Sequence, residues 1–211
     1  GQYVVRKRED ADAAWQALGA NALIAEQWVN FDYEVSSIGS RNVDGEIVIY
    51  PLSRNIHQDG ILRTSRSPLA APELAERAET YVRRLLGHLN YVGTLALELF
   101  VCGEDLLANE FAPRVHNSGH WSIEGAATSQ FENHIRAITN QPLGSTESLG
   151  HAGMVNLIGK IPDAARSLQT GILHDYGKEP RPGRKLGHIT VIADSAAERD
   201  ALIDIIARNV N

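Results

Sequence analysis

The chain has 211 residues, of which 43% are apolar and 22% charged, ordinary values for a globular protein with material for a sizeable buried core. A formal net charge of −6 argues against nucleic-acid binding, which rests on a basic excess, and the single cysteine, Cys102, excludes an intrachain disulfide framework and suits a reducing, cytoplasmic setting. No apolar run reaches the length that spans a membrane, and no signal peptide opens the chain.

The chain starts at Gly1-Gln2 without an initiator methionine, so it reads as a fragment or a processed product. Gln2–Arg6 is apolar enough to be a strand, and Asp10–Leu18 has the spacing of a short amphipathic helix. Leu23–Glu26 reads as a buried strand ending in a charge. Tyr33–Arg41 and Glu46–Tyr50 alternate, and Asp44-Gly45 between them signals a hairpin. Asn55–Gly60 is a polar cluster between extended segments, with Asp59-Gly60 as a turn, and Gly60–Ser65 is extended. Pro72 suits the first turn of a helix whose apolar residues recur from Leu74 to Leu89 on one face. Two strands follow, Thr94–Val101 and Leu106–Ala112. Gln130–Thr139 is expected as a helix with Phe131, Ile135 and Ile138 on one side, and the polar stretch Asn140–Gly150 as a linker. Strands at Met154–Ile158, Ile172–Asp175 and Lys185–Ala193 precede a last helix opened by the capping-box pattern Ser195-Ala-Ala-Glu198. The whole reads as α+β with mainly antiparallel pairing, divided into residues 1–145 and a small β-rich domain, 146–211.

The chemistry concentrates around the pair of strands. A three-residue turn at Gly103-Glu104-Asp105 would set Cys102 opposite Leu106 and Glu98 opposite Glu110. Two carboxylates opposed across strands repel, and one in an apolar strand is costly to desolvate. A hard cation such as Mg2+, with Asn109 as a further oxygen ligand, offsets both costs; a turn one residue longer would instead separate the two. Arg114, His116, Asn117, Ser118 and His120 follow in a polar loop suited to an anion or small substrate. His116 and His120 have zinc-pair spacing, but Ser118-Gly119 argues against a helix there. Glu26 and Glu34 flank a short connector, either as nucleotide contacts or as ordinary surface carboxylates. His57 stands near an anion or in a plain turn. Lys178, Arg181, Arg184 and Lys185 form either a phosphate grip or a solvated loop.

Four segments together resemble one family: Tyr50–Arg63, Asn109–Trp121, Arg136–Thr139 and Asp175–His188. They are similar to the ATP-dependent 5-(carboxyamino)imidazole ribonucleotide synthases of purine biosynthesis. The resemblance covers nearly the whole chain and implies an ATP-grasp fold, the second lobe and part of the first, before the C-terminal domain. It implies ATP and Mg2+ as cofactors and carboxylation of aminoimidazole ribonucleotide with bicarbonate through carboxyphosphate. By the same resemblance Glu98, Glu110 and Asn109 hold Mg2+, and Asn109 and Glu110 also face ATP. Glu26, Trp28 and Val29 meet adenine, Glu34 the ribose, and His57 lies near the nucleotide. Arg114 and Asn117 stabilise bicarbonate or carboxyphosphate, while Lys178, Arg184 and Lys185 grip the substrate phosphate. A homodimer is implied too. Gly1-Gln2 resembles the tail of the family's Gly-rich phosphate loop, so a missing N-terminal portion of the same enzyme is the expected partner, and the chain alone is expected not to turn over ATP. Another ATP-grasp carboxylase or ligase, and a noncatalytic nucleotide-binding or dimerisation module, are the competing readings.

Overall fold

The computed structural model describes residues 2–19 and 21–210, which fall into two units, 1–30 and 31–211. Gly1, half of the expected phosphate-loop tail, lies outside the described residues. In the first unit helix α1 spans Asp10–Leu18 as expected. Its N-terminus is tied by Asp10, whose Oδ2 accepts from the backbone N–H groups of Arg6 at 3.1 Å and Lys7 at 3.2 Å. A carboxylate there also meets the positive end of the helix dipole. Gln2–Arg6 and Leu23–Glu26 do not form the expected strands, and Ile24 is 83% exposed. A strand is completed only by a neighbour that takes its N–H and C=O groups. The described residues of 2–30 contain no such pair of strands.

The second unit is built on one antiparallel sheet. Its strands are β1 Tyr33–Arg41, β2 Ile47–Ile49, β3 Ser53–Gln58, β4 Ile61–Ser67, β5 Gly93–Cys102, β6 Asp105–Ala112, β7 His151–Ile158, β8 Ile172–Asp175 and β9 Lys185–Ala193. They lie in the order β6-β5-β1-β3-β4-β7-β9-β8, with β2 on β1. The β1–β2 hairpin turns through Gly45 at φ +88°, where the left-handed region favours glycine. Strand β3 escapes a hydrophobic pattern because its inward residues are polar. Asn55 is buried, donating to Ser36 Oγ at 2.5 Å and accepting from Ser65 Oγ at 2.8 Å. The turn to β4 places Asp59 and Gly60 at φ 54° and 71°, the double left-handed geometry of a tight hairpin.

Helix α2, Pro72–His88, covers one sheet face with Ala78, Val82 and Leu86, all fully buried against Val35, Leu95, Leu97 and Leu99. Full burial of Val and Leu side chains such as Val82 and Leu86 contributes about 1.5–3 kcal/mol each. A second cluster gathers Ile38, Tyr50, Leu62, Trp121 and Met154. A third lies under the last helix of the chain, with Val155, Ile189, Ile203 and Ile206. Helix α3, Ser122–Gly125, is a single turn, and α4, Gln130–Ile138, follows it. The face that α4 buries is a polar one: Gln130, Asn133 and Ala137 are fully buried, while Ile135 and Ile138 are half exposed. Hydrogen bonding overrides hydrophobic periodicity here. Asn133 Nδ2 donates to Tyr50 Oη at 2.8 Å and its Oδ1 accepts from Gly144 N at 2.8 Å, which satisfies the buried amide. These bonds also tie down the stretch expected as a linker, as does Thr146 Oγ1 donating to Ile49 O at 2.7 Å. The sheet passes across position 145/146 without a break, since β4 pairs with β7. A short α5, Asp163–Arg166, and α6, Ala196–Val210, complete the unit.

Candidate functional site

The β5–β6 hairpin sets Glu98 opposite Glu110, by a route that differs from the expected one. The turn is one residue shorter: Cys102 faces Asp105, not Leu106, and Gly103 takes φ +61°. Left alone, that register would place Asn109 opposite Glu98. A bulge between Leu99↔Ala108 and Glu98↔Glu110 inserts Asn109 and restores the pair. In a bulge two residues of one strand oppose one of the other, so both Asn109 and Glu110 confront Glu98. A regular strand would have sent neighbouring side chains to opposite faces.

Around this pair the sheet collects further charge. Glu34 on β1 and His57 on β3 meet with Oε2 and Nδ1 2.5 Å apart. Glu98 is half-buried, and its Oε1 has no hydrogen-bond partner; His116 Nδ1 lies 3.6 Å away. Burial raises the Glu98 carboxyl above its ordinary value; His57 opposes this, Glu110 and Glu34 add to it, and Lys185 opposes it again. Lys185, at the start of β9, is lowered by burial, with Glu98 pulling it back and Arg114 pushing further. Burial, then the cations Arg114 and Lys185, push His116 down to about 4. Glu34, His57, Glu98, Glu110, Arg114, His116 and Lys185 therefore share one electrostatic neighbourhood.

The loop after β6 is a 3-10 turn, Asn117–Gly119, entered from His116, whose ring Nδ1 meets Ser118 Oγ at 2.8 Å. Asn117 exchanges side-chain hydrogen bonds with Asn156 of β7, at 3.0 and 2.7 Å. His120 Nδ1 lies 3.1 Å from Gln130 Nε2 while His116 Nδ1 meets Ser118 Oγ, so these two ring nitrogens meet separate partners rather than one another's ligand position. Beyond them His120, Ile123, Phe131, His174, Tyr176, Lys178 and His188 line a cavity of about 370 Å³. His174 and His188 stack with ring centres 4.4 Å apart, His188 Nδ1 meets Tyr176 Oη at 2.7 Å, and Glu124 Oε1 meets His174 Nε2 at 2.7 Å. Burial pushes His120 down to about 4 and His188 to about 3, so both rings are neutral at pH 7.

Within residues 31–211, not every expected site residue is part of this electrostatic neighbourhood. Lys178 is exposed, its ammonium 5.1 Å from the Tyr176 ring centre, and Arg184 Nη1 donates to Glu179 O at 3.2 Å. Only Lys185 of the three cations is coupled to Glu98 and Arg114. Glu26, Trp28 and Val29 belong to the first unit, where Trp28 Nε1 donates to Asn30 Oδ1 at 3.0 Å and Arg6 lies 4.9 Å from the Trp28 ring centre. Asn156 and His188 were missed by sequence reasoning; their signal is a polar residue inside the apolar runs Met154–Ile158 and Leu186–Val191.

The donor set suits a hard divalent cation better than zinc. It offers two carboxylates and an amide oxygen, with one buried carboxylate oxygen orphaned. No cluster of three or more His, Cys, Asp or Glu forms a ready metal cage among the described residues. Two carboxylates and an amide oxygen fit Mg2+, which takes few protein ligands and completes its shell with phosphate oxygens and water. Among the described residues no helix is long and apolar enough to cross a membrane.

Comparison with known proteins points the same way. The ATP-grasp domain family matches residues 1–131, and the phosphoribosylaminoimidazole carboxylase C-terminal domain matches 152–201. An N5-carboxyaminoimidazole ribonucleotide synthase from Pseudomonas aeruginosa is 47% identical over 97% of this chain and 59% of its own length. The Vibrio cholerae protein of that name is 44% identical over 94% of this chain and 55% of its own. The chain thus spans a little over half the length of these curated relatives. The crystal structure of the Thermus thermophilus N5-carboxyaminoimidazole ribonucleotide synthetase superposes with a TM-score of 0.94 at 51% identity, over 100% of this chain and 60% of that one. The Aspergillus clavatus enzyme in complex with ADP and 5-aminoimidazole ribonucleotide gives 0.91 at 33% identity, over 99% and 60%. With well over half its residues matched by that domain and the same fold recurring in these structures, the chain belongs to the ATP-grasp family, among the relatives of the N5-carboxyaminoimidazole ribonucleotide synthases.

Proposed function

We propose that this chain carries the phosphate-metal and carboxylation half of a site that makes N5-carboxyaminoimidazole ribonucleotide from aminoimidazole ribonucleotide, bicarbonate and ATP. The carrying observation is the bulged pairing of Glu98 with Asn109 and Glu110, beside Lys185 and the Arg114–Asn117 loop. Mg2+ supplies charge neutralisation of the ATP phosphates, and Glu98, Glu110 and Asn109 would hold it. A bicarbonate oxygen attacks the γ-phosphorus, ADP leaves, and carboxyphosphate forms. The amine of the imidazole ribonucleotide then attacks the carboxyl carbon, directly or after release of CO2, and phosphate and a proton depart. Arg114 and Asn117 orient bicarbonate and its phosphorylated product through charge and hydrogen bonds, so the step rests on positioning and electrostatics rather than on a covalent nucleophile. Glu34 and His57 bind the nucleotide, with Glu26, Trp28 and Val29 as its adenine contacts. Lys178, Arg184 and Lys185 take the substrate phosphate.

A cytoplasmic homodimer belongs to the same proposal; the half-exposed Ile135 and Ile138 on α4 support a face for a second copy. The division at 145/146 is supported by the two family matches, which end and begin on either side of it. The test joins the chain to the N-terminal portion that the reading requires and follows turnover with 13C-labelled bicarbonate, ATP and aminoimidazole ribonucleotide by carbon NMR. Label in a carbamate on the exocyclic amine is the expected result. ATP hydrolysis indifferent to bicarbonate, or label in any other product, overturns the reading.

A further inference from the structure

The loop from Arg114 to His120 is held from two sides by fully buried amides that no charge or metal argument requires. Gln130, the first residue of α4, is 0% exposed. Its Oε1 accepts from the backbone N–H of His116 at 2.9 Å, and its Nε2 donates to the carbonyl of the same residue at 2.6 Å. One side chain thus completes both backbone groups of His116, as a neighbouring strand would. This double bond fixes which end of the Gln130 amide is nitrogen. The nitrogen lies 3.1 Å from His120 Nδ1, so a hydrogen bond donated there by Gln130 would hold the neutral ring with its proton on Nε2. The main chain of Gln130 is anchored in turn: its N–H donates to Ser122 Oγ at 3.0 Å, and its carbonyl accepts from Thr94 Oγ1 at 3.1 Å. Gly119 completes the fit. A Cβ there would collide with Ile38 and come within 2.9 Å of Gln130 Oε1.

The second clamp is Asn156, 1% exposed on β7. Its Nδ2 donates to Leu62 O at 3.0 Å and to Asn117 Oδ1 at 2.7 Å, and its Oδ1 accepts from Asn117 Nδ2 at 3.0 Å. The Leu62 carbonyl fixes the orientation of Asn156, and the reciprocal pair transmits that choice to Asn117. An amide has two N–H groups and two lone pairs. Each polar atom of Asn117 therefore keeps one hydrogen-bonding position uncommitted by this pair.

We propose that Gln130 and Asn156 are positioning residues, a pair of buried amides that fix the Arg114–His120 loop and set the orientation of the Asn117 side chain toward the anion that the loop receives. The inference rests on the carboxylation reading only for the identity of that anion; the clamp itself is a property of the loop.

The test uses Asn156→Asp, Asn156→Leu and Gln130→Glu in the chain joined to the N-terminal portion that the proposed function requires, with far-ultraviolet circular dichroism to establish folding. Side-chain amide NMR then follows Asn117, and long-range nitrogen–proton spectra report the His120 tautomer. Asn156→Asp removes the donor to Leu62 O and to Asn117 Oδ1, so both Asn117 amide protons are expected to shift while the fold persists. Gln130→Glu removes the donor to His120 Nδ1, and the ring is expected to shift from the Nε2–H to the Nδ1–H tautomer. In turnover, each variant is expected to lose at least tenfold in kcat at saturating bicarbonate, with KM for ATP within about twofold of wild type. Folded variants with unchanged Asn117 and His120 signals overturn the clamp. Altered signals with kcat within twofold overturn its part in positioning. If wild-type ATP turnover ignores bicarbonate, the carboxylation reading fails, and the resonances alone decide the clamp. Should Asn156→Leu fail to fold, the isosteric Asn156→Asp and Gln130→Glu carry the decision.

Discussion

Three neutral histidines, two in the Arg114–His120 loop and one on β9, give the protein an acid weakness. Burial holds His116 and His120 down at about 4 and His188 at about 3, against an ordinary value of 6.5. The unfolded chain binds these protons first, so the stability they contribute is complete above pH 6.5 and is lost as pH falls toward 4. A tenfold difference in proton affinity between the folded and unfolded chain is worth about 1.4 kcal/mol, so His120 alone accounts for roughly 3 kcal/mol. Urea denaturation between pH 7 and 4.5 is expected to show a steep loss, and His188→Phe should flatten it by about a third. Glu98 has the opposite sign. Its raised carboxyl binds a proton more tightly in the fold, so stability falls as pH rises through the folded value. Near neutral pH, Glu98→Gln is expected to stabilise the metal-free protein, since it removes a buried charge that faces Glu110 and Glu34, while abolishing its response to Mg2+. Denaturation with and without Mg2+ checks both halves. The Glu98–Glu110 pair was legible in the sequence because charges in an apolar strand stand out. Gln130 and Asn156 were not, since nothing local distinguishes a buried amide from a surface one until the strands and helices that satisfy it are assembled.

The hairpin of β5 and β6 shows how an element carries what single residues cannot. Register counting from the turn reached the right pair through two compensating differences, a turn one residue shorter and a bulge one residue longer. Turn length and bulges are decided by backbone geometry, and an alternating pattern of side chains reports neither. Deleting Asn109 is therefore a sharp test. It should leave Glu98 opposite Glu110 in a regular ladder, with stability within about 1 kcal/mol of wild type, because a bulge leaves its extra residue unpaired. It removes an oxygen ligand, so affinity for a divalent cation is expected to fall about tenfold. Mn2+ titration followed by paramagnetic broadening of signals near Glu98 measures this, and an unchanged midpoint would show that Asn109 is not a ligand. The same logic explains the strands expected at Gln2–Arg6 and Leu23–Glu26. Their apolar content is plain in the sequence, but strand formation depends on partners elsewhere in the chain, and the described residues of 2–30 supply none.

At the scale of the whole molecule, the two units differ in what they bury. Residues 31–211 hold the nine strands of the sheet and three apolar clusters, and β7 lies between β4 and β9 in the middle of that sheet. Cutting at 145/146 would strip β4 of a neighbour and open the second cluster between Leu62 and Met154. In residues 2–30, by contrast, no residue of α1 is buried, and Trp15 and Trp28 are 65% and 58% exposed. Proteases require a segment to open locally, and the cost of opening scales with the contacts and backbone bonds it gives up. Limited chymotrypsin digestion is therefore expected to cut first after Trp15, Leu23 or Trp28 and to leave residues from about 29–31 to 211 as a resistant core, identified by mass spectrometry. The Asn140–Gly150 stretch, rich in turn-forming residues, should resist. Its bonds from Asn133 to Gly144 and from Thr146 to Ile49 hold it against the sheet. First cleavage there, with 146–211 released as a folded piece, would show that the domain division governs stability after all. A core that starts near residue 31 would show that the sheet is one cooperative unit across it.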